Sequence, residues 1–259
     1  MSNEPIRIAM WSGPRNISTA MMRAFENRSD TVVVDEPFYA AYLAASGADH
    51  PLRAEVLASQ PTDWREVTKT LLGPIAEGRA VFYQKHMTHH MLPAFGRDWT
   101  SSCHSAFLIR QPVDVLASYA EVRDEASLEA IGLPQQRDLF DAACDRLGRA
   151  PPVIDAYDVL SDPRGMLGAL CAALGIPFSE AMLAWPAGSR VSDGVWAPAW
   201  YDAVERSTGF SPPRRPLDFD ELRDDLKPIA EAARPIYAHL AAGKLKPLAQ
   251  GYSAAARQF

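Results

Sequence analysis

The sequence predicts an α/β protein of three layers, with a central, mostly parallel sheet between helices. Two observations predict it. Short apolar or β-branched runs alternate along the chain with segments of helical spacing, the pattern of strands joined by crossover helices. The 259 residues are 47% hydrophobic and 22% charged, an ordinary balance for one large core-forming domain.

Taken in order, residues 6–11 read as a short buried strand and 12–16 as a turn. Residues 17–27 have helical spacing, with Met21, Met22 and Phe25 as the apolar positions. Residues 31–35 (TVVVD) form a β-branched second strand. A helix over 63–77 starts on Asp63 and carries the stripe Val67, Leu71, Leu72 and Ile75. Strands follow at 80–84 and 105–109. A helix over 112–119 has proline in its first turn, and another spans 135–147. The fifth strand covers 153–156, and a helix over 163–174 stops at Gly175. After residue 180 the pattern weakens into a segment dense in Trp185, Trp196 and Trp200 and in prolines. Residues 218–240 have helical spacing, which Pro228 and Pro235 are expected to break or bend. The chain reads as one domain over 1–259, with 180–259 as a cap.

The net charge of −6 argues against a non-specific nucleic-acid binder, so any anionic ligand needs a local basic cluster. No apolar run approaches the ~20 residues that cross a membrane, and no basic segment followed by an apolar stretch marks a signal peptide. Cys103, Cys144 and Cys171 fit neither a disulfide framework nor the close pairs of a zinc site, which points to a reducing cytoplasm.

Ligands of parallel α/β sheets sit at the carboxyl ends of the strands, so the residues after each strand carry the functional reading. WSGPRNIST (11–19) joins the first strand to the first helix. There unpaired N–H groups and the positive end of the helix dipole coincide. Arg15 adds a fixed charge, and Ser18 and Thr19 add hydroxyl donors; an ordinary turn with a surface arginine is the plain alternative. The lysine and second glycine of a Walker A loop are missing. Arg110 closes the fourth strand, and Ser118 lies about two turns inside the following helix, so both can meet one anion. The plain alternative pairs Arg110 with Asp114 and leaves Ser118 to solvent.

Together the two segments resemble those of bacterial-type sulfotransferases that use 3′-phosphoadenosine-5′-phosphosulfate (PAPS). Pro14, Arg15, Ser18 and Thr19 match the Pro-Arg-x-x-Ser-Thr form of the family's 5′-phosphosulfate loop, and Asn16-Ile17 stands where Ser-Gly is usual. Arg110, Pro112, Asp114, Ser118 and Tyr119 fit its R-x-P-x-D-x-x-x-S-Y frame around the 3′-phosphate. Tyr157-Asp158-Val159-Leu160, Asp162-Pro163 and Leu174-Gly175 resemble the family's Y-E-D-L … D-P … L-G stretch. The resemblance covers about residues 6–180. It implies a P-loop-like sulfotransferase fold, PAPS as co-substrate, no metal, and a small-molecule acceptor with a hydroxyl or amine. It assigns Pro14, Arg15, Asn16, Ser18 and Thr19 to the 5′ end of the nucleotide and Arg110 and Ser118 to the 3′-phosphate. The family's late basic loop has no clear counterpart; Arg190, Arg206, Arg214, Arg215 and Arg257 are candidates. The fold also occurs fused to unrelated metabolic enzymes, an aminotransferase for instance.

Such a transfer needs a base for the acceptor and cations for the leaving group. Glu36, just after the second strand, resembles the glutamate base of some bacterial members. Lys85-His86, after the third strand, resembles the family's Lys-x-His with altered spacing, which makes Lys85 the leaving-group cation and His86, His89 or His90 the other candidate bases. The three histidines also have helical i, i+3, i+4 spacing, without the HExxH pattern of a metal site. The apolar, aromatic C-terminal third is expected to shape the acceptor pocket. Two other readings stand beside this one. A nucleotide-dependent kinase is one, since 31–36 mimics a Walker B strand, although the Walker lysine is missing. The other is a binding module without turnover.

Overall fold

Strands buried on both faces of a parallel sheet are continuous apolar runs rather than alternating ones. In the computed structural model, which describes residues 4–123 and 125–249, five such runs pair. They are β1 (Ile6–Ser12), β2 (Thr31–Asp35), β3 (Val81–Met87), β4 (His104–Ile109) and β5 (Val153–Asp155). Their order is β2-β3-β1-β4-β5, and every neighbouring pair is parallel. β3 runs past the predicted end at Gln84 to Met87. β5 stops at Asp155, whose carboxylate accepts from Tyr157 N at 2.8 Å and starts a helix at Ala156, the residue expected to end the strand.

The helices are α1 (Ser18–Glu26), α2 (Tyr39–Ser46), α3 (Arg53–Ser59), α4 (Trp64–Leu72), α5 (Pro112–Ala120), α6 (Leu133–Leu147), α7 (Ala156–Ser161), α8 (Pro163–Leu174), α9 (Ala197–Trp200), α10 (Asp202–Glu205) and α11 (Lys227–Ala241). Asp63 caps α4 by accepting from Arg65 N at 2.9 Å. The helix ends at Leu72 instead of 77, because Gly73 precedes Pro74 and takes the extended backbone that a residue before proline prefers. Residues 218–226 form two short 3-10 turns, and α11 begins only at Lys227. Pro228 therefore sits in the first turn of α11, where no N–H is needed, and starts the helix instead of breaking it. Pro235 lies inside α11, which continues to Ala241. Two helices absent from the sequence reading lie between β2 and α4. α2 is apolar almost all round and α3 has seven residues, so neither carries a clear amphipathic period.

The pleat of the sheet divides the core. Ile8, Met10, Tyr83, Leu108 and Ile154 pack with α1, α7 and α8 on one face. Ala9, Trp11, Phe82, Phe107 and Ile109 pack with α4, α5, α6 and α11 on the other. A third cluster joins α2 and α3 to Trp196, Ala197 and Tyr201, so that the irregular C-terminal segment leans on the loop after β2. No helix among the described residues is long and apolar enough to cross a membrane.

Gly132, at φ 72°, sets the approach of α6 to the turn after β3. Thr88 Oγ1 donates to its carbonyl at 2.8 Å, and a Cβ there would collide with the same Oγ1. Gly132→Ala should lower the unfolding free energy by about 2 kcal/mol or more, from the left-handed backbone and the collision together. Urea denaturation checks this, and an unchanged midpoint would mean the turn relaxes freely.

Candidate active site

One cavity of about 980 Å³ opens at the carboxyl ends of the strands. Arg15 reaches it after β1, Glu36 after β2, Lys85 near the end of β3, Arg110 after β4 and Asp155 at the end of β5.

The loop after β1 is held in a strained shape. Arg15 (φ 59°) and Ile17 (φ 45°) both occupy the left-handed region, where a β-branched residue such as Ile17 is rare. The Asn16 amide donates to Leu108 O at 2.8 Å, and Gln136 Nε2 donates to the same oxygen at 2.9 Å. The predicted ligand-binding side chain of Asn16 is thus a buried tie between the loop and β4. Pro14, Ser18 and Thr19 stay on the cavity wall, beside the free N–H groups of the first turn of α1. The two predicted anion segments touch: Arg15 Nε donates to Ser118 Oγ at 2.9 Å, and Arg110 Nη1 donates to Arg15 O at 2.7 Å. Neither guanidinium has an ion pair with a carboxylate among the described residues. Burial first, and then the nearby Arg15 and Arg214, hold Arg110 below its ordinary pKa, only partly offset by Asp114 and Asp155.

Of the five later arginines, Arg190 pairs with Glu26, Arg206 with Asp202, and Arg215 with Glu221. Arg257 lies outside the described residues. Arg214 lines the cavity within electrostatic reach of Arg110 and has no ion pair among the described residues.

Sheet register builds the next part of the site. Asp35 lies directly beside Lys85 across the β2–β3 ladder. Lys85 Nζ donates to Asp35 Oδ1 at 2.8 Å, Glu36 Oε1 at 2.7 Å and the Tyr201 hydroxyl at 2.7 Å. The Tyr201 hydroxyl donates to Asp35 Oδ2 at 2.6 Å and accepts from Trp196 Nε1 at 3.2 Å. All three N–H bonds of Lys85 therefore end on protein oxygens, and none is left for a leaving group, the role expected of it. Glu36 lines the cavity with 11% of its side chain exposed, against 1% for Lys85 and Asp35. Burial raises the Glu36 pKa, Lys85 opposes that rise, and the Asp35 charge adds to it. Its backbone is left-handed too (φ 39°), held by Glu36 N donating to Lys85 O at 3.0 Å and by Gln60 Nε2 donating to Glu36 O at 3.2 Å.

The histidines part ways. Successive residues of a strand face opposite sides, so His86 points away from Lys85. It stacks on Trp11 at 4.4 Å, lies near Trp99 and Phe38, and hydrogen-bonds Gln84 at 3.2 Å; it is no part of the cavity lining. As a candidate base His86 is thus misplaced. His89 and His90 do line the cavity, with His50, which the sequence reading did not single out. The Tyr39 hydroxyl is 2.8 Å from His50 Nδ1. Burial pushes His86 and His89 down to about 3 and His50 to about 4, and holds His90 well below its ordinary value. A base works best with a pKa near the working pH, which leaves Glu36 as the stronger candidate.

The profile of the family described as Sulfotransferase domain matches residues 6–243. Two Arabidopsis thaliana proteins align over most of the chain. Branched-chain-amino-acid aminotransferase-like protein 1 is 39% identical over 90% of this chain, and protein 2 is 36% identical over 89%. The chain spans about two fifths of each, 41% and 40%. Among solved structures, the sulfotransferase domain of the curacin biosynthetic pathway is 15% identical, with TM-score 0.51, over 90% of this chain and 99% of that one. A sulfotransferase from Alicyclobacillus acidocaldarius is 14% identical, with TM-score 0.54, over 93% and 97%. These two likenesses establish the fold.

Each buried neutral histidine ties stability to pH. Its folded pKa is depressed, so the unfolded chain binds the extra proton. Stability is full above the unfolded value of about 6.5 and falls as the pH drops toward about 3. Per histidine the slope is at most about 1.4 kcal/mol per pH unit. His86→Phe keeps the ring stack and should flatten the loss of stability between pH 6.5 and 4. Urea titrations at several pH values check it, and an unaltered slope would mean that His86 is protonated in the fold.

Proposed function

The chain belongs to the sulfotransferase domain family, and we propose that it moves a sulfuryl group from PAPS to a hydroxyl or amine of a small-molecule acceptor. The carrying observation is the convergence of Arg15, Arg110 and Arg214 with Ser118 on one cavity, three guanidiniums without a carboxylate ion pair among the described residues. A partly buried basic cluster of that kind fits a multiply charged anion, and a cavity of about 980 Å³ has room for a nucleotide and an acceptor together. Arg110, Ser118 and Arg214 take the 3′-phosphate in this reading. Arg15, Ser18, Thr19 and the first N–H groups of α1 take the 5′-phosphosulfate, with Pro14 shaping the turn. The reading treats 1–259 as one unit.

PAPS supplies an activated sulfuryl group and a good phosphate leaving group. Glu36 accepts the proton of the acceptor as the acceptor atom bonds to sulfur. The bond from sulfur to the bridging phosphate oxygen breaks, and its electron pair leaves with 3′-phosphoadenosine 5′-phosphate; sulfur is neither oxidised nor reduced. Lys85 holds Glu36 Oε1 in place, while Asp35 and Tyr201 hold Lys85. The arginines and helix N–H groups stabilise the charge that grows on the departing phosphate.

Calorimetric titration with 3′-phosphoadenosine 5′-phosphate, beside ATP and AMP and without magnesium, tests the donor. Selective binding of the 3′-phosphorylated nucleotide is expected, whereas a preference for ATP once magnesium is added would favour a kinase. Arg110→Ala and Arg214→Ala should each weaken that binding by roughly 1–3 kcal/mol; equal affinity in either variant removes that residue from the site. Glu36→Gln should leave binding nearly intact and lower turnover about a hundredfold or more. Full turnover would pass the base role to His89.

A further inference from the structure

One side of the cavity wall comes from the segments after β2 and β3, from the stretch after α5, and from α9. Several of its aromatic rings pack on one another. The His90 ring lies between Tyr39 (4.6 Å, 16°) and Tyr42 (4.9 Å, 25°). The buried Trp196 meets Tyr39 in a T-shaped contact at 5.1 Å, and the Arg123 guanidinium sits over Trp200 at 5.3 Å. His89 stands edge-on to His90 at 4.3 Å. The C-terminal third also lines the cavity, through Trp200, Val204, Phe210 and Phe219 among others.

Two further facts bear on what such a wall binds. His90 is only 2% exposed, and the Nδ1 atoms of His89 and His90 are buried without a hydrogen-bond partner. Arg123 lines the same cavity and has no carboxylate partner among the described residues; its guanidinium's one hydrogen bond among them is a 3.5 Å contact to Asp49 O. Lys85 cannot serve in its place, since its donors are taken. The carboxylates on this side are Glu36 and Glu121, the latter exposed.

We propose that this wall is the acceptor subsite and that it takes small hydroxy acids: Arg123 binds the carboxylate, Tyr42, His50 and His89 flank the chain, and the hydroxyl rests at Glu36. Stacking on Trp200 fixes the guanidinium before the acceptor arrives, so little side-chain freedom is lost on binding. This inference rests on the proposed sulfuryl transfer, because Glu36 and the donor define where the hydroxyl must lie.

The test is binding of glycolate, 4-hydroxybutanoate and 6-hydroxyhexanoate, each beside its uncharged amide, to the full chain loaded with 3′-phosphoadenosine 5′-phosphate. At least one acid should bind about tenfold or more tightly than its amide, the difference expected for a charge-assisted pair. Arg123→Ala should abolish that preference while its affinity for 3′-phosphoadenosine 5′-phosphate stays unchanged, which also reports that the variant is folded. Equal binding of acid and amide, a preference that survives in Arg123→Ala, or no binding by any member of the series overturns the proposal. Failure of the unaltered protein to bind 3′-phosphoadenosine 5′-phosphate is a separate result that strikes the donor reading instead.

Discussion

The site depends on one buried ammonium. Lys85 lies at the carboxyl end of β3, beside Asp35 by sheet register, and holds two carboxylates and a phenol at once. Removing charges from water costs several kcal/mol per ion, which is recovered only where geometry is good and each polar atom has a partner. Here Asp35 accepts from Lys85, Tyr201 and the backbone of Gly194, and Tyr201 also accepts from Trp196. The irregular segment from Gly194 to Tyr201 is thereby bonded to the sheet as well as packed on α2 and α3. Glu36, Lys85 and Tyr201 all line the cavity, and of the two carboxylates Glu36 is the more exposed, 11% against 1% for Asp35, so charges that help to organise the fold also orient the carboxylate that meets the cavity.

A second arrangement separates the work across the cavity. The basic groups gather where the loop after β1 approaches the end of β4, close enough for Arg15 to bond Ser118. The histidines gather elsewhere and are held neutral by burial. Arg15, Arg110 and Arg214 are thus grouped at one end of the cavity, while the other wall sets neutral histidines and tyrosines around a single cation, Arg123. Backbone strain falls in the same places: Arg15, Ile17 and Glu36 are three of the four non-glycine residues at positive φ among the described residues. Such strain persists only where surrounding contacts over-determine it, and the ties from Asn16 and Gln60 do that.

Much of this was legible in the residues. The five strands and the placing of Arg110 and Ser118 beside one another rest on local patterns, apolar runs and fixed spacings, that survive in any fold they can form, whereas the bond from Arg15 to Ser118 appears only in the fold. The face of a side chain was legible only where the strand ends were right. With β3 ended at Gln84, Lys85 and His86 belong to one loop and can share a site; with β3 running to Met87, they must face opposite layers. The partners of Lys85 come from the end of β2, from the residue just after it and from a residue more than a hundred positions away, a distance no periodicity spans. The acceptor wall is hidden for the same reason. Tyr39, His90, Arg123 and Trp200 carry no common motif, and α2 offers no amphipathic signal that would have placed the first of them.

The strand order has a consequence for how the chain is made. β1 lies at the centre of the sheet, yet both its neighbours, β3 and β4, come some 75 to 100 residues later in the chain. At ribosomal rates of roughly 5–20 residues per second, this apolar strand waits about 4–15 s for its first partner. The segment that ends up most protected is therefore the one longest unprotected at birth, and this protein's dependence on chaperones should concentrate on its first dozen residues.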